Sequence, residues 1–203
     1  MAKRAKGGPK LRFEAAEVWL LTELIGSLQL LLVAGGTDTD AADEGAGEDE
    51  RTVGGTGADD PEGLEGIEGL DWPDTAPVQP PQDPALRRLL PDAYSEDPEA
   101  AAEFRRYTDA GLREGMLADS AVVGAMLDGI PAGGKLDPDD DQAQAWLRVV
   151  THLRLVLASR LGIVTAADQD ELDGVDEDDP RTATFAVYSW LGAVLSEVLD
   201  GMR

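Results

Sequence analysis

The acidic run at 168–174 is the stretch of this sequence that most resembles a metal site. It reads Asp-Gln-Asp-Glu-Leu-Asp-Gly, whereas a calcium loop needs ligands at its positions 1, 3 and 5 and glycine at position 6. Counted from Asp168, position 5 is Leu172 and position 6 is Asp173, so the spacing does not fit. The chain has one histidine, His152, and no cysteine, which excludes multi-histidine and thiolate sites. We therefore predict no bound metal.

His152 and Ser159 are the best candidates for a catalytic base and its nucleophile, because both fall on one predicted helix. Two helical turns separate them by about 10 Å, whereas a nucleophile and its base need contact at about 3 Å. No glycine-rich phosphate loop with its lysine precedes a helix. The absence of cysteine excludes thiolate catalysis and a redox disulfide. The sequence predicts that the protein is not an enzyme and needs no cofactor, with His152 at a helix surface or boundary.

Arginines carry much of the scarce positive charge in the part of the chain predicted to be ordered. They are Arg87, Arg88, Arg105, Arg106, Arg113, Arg148, Arg154 and Arg160. One interpretation is intramolecular pairing with nearby acids such as Glu99, Glu103, Asp109 and Glu114. The other is a basic face that binds a partner or DNA phosphate. The sequence leaves both interpretations open.

The overall charge limits the classes of partner. The 203 residues include 17 Lys and Arg against 41 Asp and Glu, a formal charge of -24. Affinity for DNA comes mostly from neutralising phosphates, so this balance argues against a large DNA-binding surface. Between 38 and 74, fourteen acids face one arginine, in sequence rich in glycine and then proline. We predict that 36–82 is a disordered acidic insertion, because low hydrophobicity with high charge does not offset the entropy of ordering. Alternatively, a partner orders it through Leu64, Ile67, Leu70 and Trp72.

Helical periodicity dominates the remaining sequence. A first helix is predicted over 14–34 and ends at two glycines. Asp-Pro pairs that begin at 83, 97, 137 and 179 each precede an apolar-periodic stretch, since aspartate caps free N–H groups and proline fits the first turn. They predict helices over 84–90, 98–130, 138–161 and 180–200, with a bend or break near Gly111 or Gly115 and an acidic loop over 165–178. No stretch shows convincing strand alternation, and 11–13 is too short to decide.

These elements predict an all-α fold, a single helical bundle of about five helices with a long disordered acidic loop after the first helix. Its parts are a basic flexible tail at 1–10, the first helix within 11–35, the insertion at 36–82, and the main helical part of the same domain at 83–203. The aromatic residues predicted to lie in its core are Trp146, Phe185, Tyr188 and Trp190. Glu23 interrupts the apolar run at 18–34, which favours a buried helix over a membrane span. We expect a cytoplasmic protein with no membrane partner.

Several stretches of the chain, taken together, resemble the AosR family of actinobacterial proteins. They are DPALRRLLPDAY at 83–94, AAAEFRRYT at 100–108, Trp146-Leu147, LRLVLASRLGI at 153–163 and YSWL at 188–191. The family was long described as a domain of unknown function and is often encoded beside the ClpS protease adaptor. The resemblance implies a regulator of the oxidative-stress response that acts with an extracytoplasmic-function sigma factor. It also implies a disulfide switch, which a chain without cysteine cannot form.

The sequence and this resemblance predict a cytoplasmic, transcription-associated regulator that works through protein contacts. The expected partner is a sigma factor or RNA polymerase, with DNA contact secondary. The alternative is a helical adaptor or scaffold linked to Clp-type regulated proteolysis. The residues predicted to bind the partner or nucleic acid are Arg105, Arg106, Arg154 and Arg160, because they fall in the family motifs and are positively charged.

Overall fold

The computed structural model describes residues 8–37, 78–176 and 178–203. In these residues the elements are β1 (Leu11–Glu14), α1 (Ala15–Thr37), α2 (Pro84–Leu89), α3 (Pro98–Asp128), β2 (Gly133–Leu136), α4 (Asp140–Leu161), α5 (Ala166–Asp173) and α6 (Thr182–Met202). Helices make up most of this chain, which confirms the all-α fold class. Most of the predicted tail at 1–10 and of the acidic insertion at 36–82 lies outside the described residues.

The bundle is built around α4, which packs against α2, α3 and α6, while α1 packs mainly against α3. Trp146 on α4 is fully buried, and its ring stacks on Phe13 of β1 with centroids 5.4 Å apart. Phe185 and Tyr188 of α6 are buried in a smaller neighbouring cluster. These three predicted core aromatics are confirmed. Trp190 is half-buried, and its indole N–H donates to the Glu17 carboxylate at 3.0 Å.

Aspartate caps begin two helices where the Asp-Pro pairs predicted them. Asp83 accepts a hydrogen bond from the Ala85 N–H at 2.7 Å to cap α2, and Asp97 accepts one from Ala100 at 3.1 Å to cap α3. The pair at 137 does not cap α4. That helix is capped two residues later by Asp139, whose carboxylate accepts from the Gln142 N–H at 2.9 Å.

The fourth Asp-Pro pair caps no helix either. α6 begins after Arg181 and has no side-chain cap, so its predicted start at 180 is slightly early. Asp179 instead accepts hydrogen bonds from the Arg181 side chain and from its backbone N–H. These bonds lower the pKa of Asp179 to about 2. The aspartate is therefore held by its own local turn rather than by the helix end.

A small two-stranded sheet is present, whereas the sequence analysis left 11–13 undecided and found no convincing strand elsewhere; the second strand, β2, was therefore missed. β1 pairs antiparallel with β2, with Leu11 opposite Leu136. Leu11 and Phe13 alternate with exposed neighbours and are buried against the bundle. Gly133 at the start of β2 has a φ of 82°, and a Cβ there would lie 2.8 Å from the backbone nitrogen of Ala15. Only glycine allows these two segments of backbone to approach this closely.

Three local predictions about the helices differ from the structure. The loop predicted over 165–178 contains α5, which Thr165 caps and which Leu172 anchors by its burial. The helix α3 does not break near Gly111 or Gly115, because it runs continuously from Pro98 to Asp128. α1 likewise continues through its terminal glycines to Thr37.

His152 lies in the middle of α4, at the boundary between the core and the surface, as predicted. It is partly exposed, but its Nδ1 is buried and has no hydrogen-bond partner among the described residues. Burial lowers the pKa of His152; the carboxylate of Asp119 opposes this shift and the guanidinium of Arg148 adds to it. The folded protein therefore favours the neutral imidazole, whereas the unfolded chain takes up a proton near the ordinary pKa of about 6.5.

We expect His152 to destabilise the native state as the pH falls from about 8 to about 5.5, because the unfolded chain then binds more protons. Urea unfolding of the wild type and of His152→Gln at several pH values measures this effect. The carboxylates titrate in both proteins, so the free-energy difference between them isolates the imidazole. That difference should move in favour of the variant as the pH falls. A difference that stays constant would contradict the buried neutral imidazole.

Candidate protein-interaction surface

The four predicted partner-binding arginines do not lie together. Arg105 and Arg106 line a cavity beside the C-terminal end of α1, near Gly35. Arg154 lines a second cavity, between α4 and α6. Arg160 lines a third, between α1 and α4. The structure therefore distributes these side chains over three places, and their role in binding a partner stays a prediction.

Arg105 is a buried structural residue. Its side chain is only 6% exposed, and it donates hydrogen bonds to the Val78 carbonyl from Nε at 3.0 Å and from Nη2 at 2.8 Å. Its Nη1 pairs with the carboxylate of Asp92. These contacts hold the chain around Val78 against α3. A guanidinium used in this way has little surface left for a partner.

Arg154 and Arg160 are also bonded within the protein. Arg154 donates from Nη1 to the Tyr188 carbonyl at 2.6 Å, and its guanidinium carbon lies 4.0 Å above the centre of the Tyr188 ring. Arg160 is half-exposed and donates to the Asp83 carboxylate at 2.6 Å. Although burial opposes the shift, the bonds from Arg160 and from the Ala85 N–H hold the pKa of Asp83 below its ordinary value.

Intramolecular pairing, the first interpretation of the arginines, describes most of what the structure shows. Arg148 makes two hydrogen bonds to Asp119, at 2.5 and 2.6 Å. Arg113 pairs with Asp109 at 3.7 Å and also donates to the Leu32 carbonyl at 2.8 Å, which fastens the end of α1 to α3. Asp109 is the one acid among the four predicted partners that forms such a pair in the described chain.

The outer side of α1 carries several exposed apolar side chains. The inner face buries Val18, Leu21, Ile25, Leu28 and Leu32, spaced three and four residues apart. On the opposite side Trp19, Leu30 and Val33 are 66%, 73% and 57% exposed. Their spacing of eleven and three residues places them along one side of the helix. Glu23 is the one charged residue between them. We call Trp19, Leu30 and Val33 the outer face.

A groove of about 530 Å³ adjoins the outer face, between α1 and α4. Leu24 and Leu31 of α1 form one wall, and Val156 and Leu157 of α4 form the other. Arg160 supplies the groove's charged residue. Its size and lining suit an apolar helix or peptide laid beside α1. The sequence contained a signal for this surface, because Leu30 and Val33 are apolar yet fall outside the buried stripe of α1.

Two of the described helices, Ala15–Gly35 and Thr182–Met202, are long and apolar enough to cross a membrane by length and composition alone. The bent pair Asp140–Leu161 with Ala166–Asp173 would be a third such candidate. α1 meets this criterion despite Glu23. In the structure both single helices contribute buried residues to the helical core. The expected cytoplasmic location stays a prediction.

The fold and this surface define a helical protein with an exposed apolar face on its first helix. The chain belongs to the family described as "Domain of unknown function (DUF2017)", whose model matches residues 1–202. It is 38% identical over 130 residues to the proteins named oxidative stress regulator AosR of Mycobacterium tuberculosis and Mycobacterium bovis. A Mycobacterium leprae protein with the AosR name is 35% identical over 132 residues.

These matches confirm the resemblance to AosR found in the sequence motifs. They cover 59% of this chain and 57–58% of the relatives, so the chain matches a little under three fifths of their length. No solved structure matches the chain. The names of the relatives support a regulator-like role.

Proposed function

We propose that this protein is a cytoplasmic oxidative-stress regulator that acts by binding another protein and not by catalysis. The names of its AosR relatives supply the physiological context. The observation that carries the mode of action is the exposed outer face of α1. Burial of large apolar side chains contributes about 1.5–3 kcal/mol each, so a partner that covers Trp19, Leu30 and Val33 gains a substantial driving force.

The proposed partner is a sigma factor that presents an apolar helix flanked by basic residues. Such a helix fits the groove between α1 and α4, and its basic residues, placed away from Arg160, complement the exposed Glu23 and the formal charge of -24. A second copy of this chain would bring the same negative charge to the interface. DNA contact is secondary, because Arg105 and Arg160 already pair with aspartates. With no cysteine in the chain, any sensing of oxidant uses chemistry other than a thiol.

The test measures binding of the full-length protein to purified extracytoplasmic-function sigma factors and to core RNA polymerase from the same organism. The double variant Leu30→Glu, Val33→Glu should weaken sigma-factor binding at least tenfold, because it places two charges in the apolar contact. Val122→Glu is the matched control, since Val122 is 40% exposed, lies on α3 and does not line the groove. It should bind as the wild type does, and all three proteins should melt at similar temperatures.

Other outcomes would overturn parts of the proposal. Capture of Clp components through the outer face, without sigma factor, would support the adaptor alternative. Co-sedimentation with phospholipid vesicles that the double variant abolishes would show that the outer face meets a membrane. Failure of the wild type to bind any sigma factor would contradict the proposed partner. Failure to retard promoter DNA in a gel shift at low salt would remove the DNA contact.

A further inference from the structure

A second cavity, which we call the arginine pocket, lies between α4 and α6 beside the N-terminal end of α5. Its volume is about 370 Å³, within the range of small-ligand sites. Arg88 and Arg154 supply its charge. Thr151, Gln169 and Tyr188 supply further polar groups. Among the described residues, no aspartate or glutamate lines this pocket, although acids outnumber bases 41 to 17 in the chain.

The bonding of these two arginines differs from that of most other arginines in the described chain. Six arginines pair with aspartates: Arg105, Arg113, Arg148, Arg160, Arg181 and Arg203. Arg88 instead donates to the Ile163 carbonyl at 2.5 Å, and Arg154 donates to the Tyr188 carbonyl at 2.6 Å. No described carboxylate lies within ion-pair distance of either side chain.

Backbone carbonyls orient the two guanidiniums without neutralising them. Each guanidinium has five N–H donors, so the bond to one carbonyl leaves donors for a further acceptor. The Tyr188 ring also packs against the Arg154 guanidinium and helps to hold it in place. Planar guanidiniums with spare donors bind carboxylate and phosphate groups through paired hydrogen bonds. The pocket therefore presents two oriented positive charges to a small volume.

The N-terminal end of α5 does not supply the positive charge of the arginine pocket. The carboxylate of Asp168 already accepts hydrogen bonds from the N–H groups of Val164 and Thr165, at 2.9 and 2.7 Å. These bonds lower the pKa of Asp168, so it stays ionised and offsets the helix terminus. Anion binding here must depend on the two arginines.

The rest of the pocket wall is apolar. Leu155, Ala158, Ile163 and Leu195 line it together with Tyr188. A bare inorganic anion would leave these side chains uncovered, whereas an anion with a short hydrocarbon body would bury them. We propose that the arginine pocket binds a small amphipathic organic anion, with a carboxylate or phosphate group on Arg88 and Arg154 and an apolar body against α4 and α6. The proposal does not depend on the regulator function.

The test uses octanoate, octyl phosphate, octanol and inorganic phosphate as probes of the full-length protein, with calorimetry and methyl NMR. Octanoate or octyl phosphate should shift the Ile163 methyl signal, and the tighter of the two identifies the preferred head group. Octanol and inorganic phosphate should each bind at least tenfold more weakly, because each lacks one half of the recognised chemistry. Methyl signals of Leu24 and Leu31 show whether a probe enters the α1–α4 groove instead.

Arg88→Met should weaken binding of the anionic probe at least tenfold, and Arg88→Lys should retain part of it. Arg87→Met is the matched control, because Arg87 is the exposed neighbour on the same short helix and donates to the Pro81 carbonyl. It should bind as the wild type does. The proposal is wrong if octanol binds as tightly as octanoate, if no anionic probe shifts Ile163 at millimolar concentration, or if Arg88→Met binds unchanged while melting normally.

Discussion

Trp146→Ala is expected to destabilise the protein by about 3–5 kcal/mol, the usual cost of removing a fully buried tryptophan. Trp146 is inaccessible to solvent and stacks on Phe13, so it joins α4 to β1. Single domains have a total stability of about 5–15 kcal/mol. The variant should therefore be only marginally folded, with a large fall in the midpoint of urea unfolding followed by far-ultraviolet circular dichroism.

Two further variants serve as comparisons for Trp146→Ala. Trp146→Phe keeps a ring against Phe13 and removes an indole N–H that is buried without a partner in the described chain, so it should lose much less stability. Trp190→Ala tests a tryptophan that is only half-buried and should cost less than Trp146→Ala. If Trp146→Ala unfolded within about 1 kcal/mol of the wild type, the central position of this side chain would be wrong.

Arg105→Met is expected to destabilise the protein by about 2–3 kcal/mol, because hydrogen bonds to a charged group contribute about 1.5–3 kcal/mol. The substitution leaves the Val78 carbonyl without its two donors. It also removes the partner of Asp92, but that carboxylate is 40% exposed and water can replace the guanidinium. Most of the lost stability should therefore come from the Val78 carbonyl, which no longer has a hydrogen-bond donor.

Arg160→Met is the matched comparison, since Arg160 is half-exposed and pairs with an aspartate at the surface. Such pairs contribute about 0–1 kcal/mol, so this variant should unfold close to the wild type. Measuring sigma-factor binding on both variants separates structural roles from contact roles. Arg105→Met with wild-type stability and lost binding would restore Arg105 as a partner-binding residue and contradict the role derived from its burial.

The helices could be predicted from the sequence because their signals are local. Asp83 and Asp97 stand directly before the helices that they cap, and the apolar spacing along α1 and α4 identifies their buried sides. The family resemblance rests on motifs in the same segments. The outer face of α1 was also readable, since Leu30 and Val33 fall outside the buried stripe.

Long-range contacts could not be read in the same way. β1 has four residues and is fixed by β2, more than a hundred residues later, so its alternation is too short to stand out. α5 is stabilised by its Thr165 cap and by Leu172 docking on Phe185 and its neighbours. The cap is a local signal that the acidic composition obscured, whereas the docking of Leu172 depends on α6 and is not visible in the stretch itself.

By itself the sequence determined the helical class, the absence of cysteine chemistry and the buried sides of α1, α4 and α6, because residues within a few turns interact directly. Only the tertiary structure decided which carbonyl or carboxylate each arginine meets. Asp83 and Arg160 are 77 residues apart in sequence, yet their side chains bond at 2.6 Å. Such partners are set by how the helices pack, and this packing leaves Arg88 and Arg154 facing an apolar pocket instead of an aspartate.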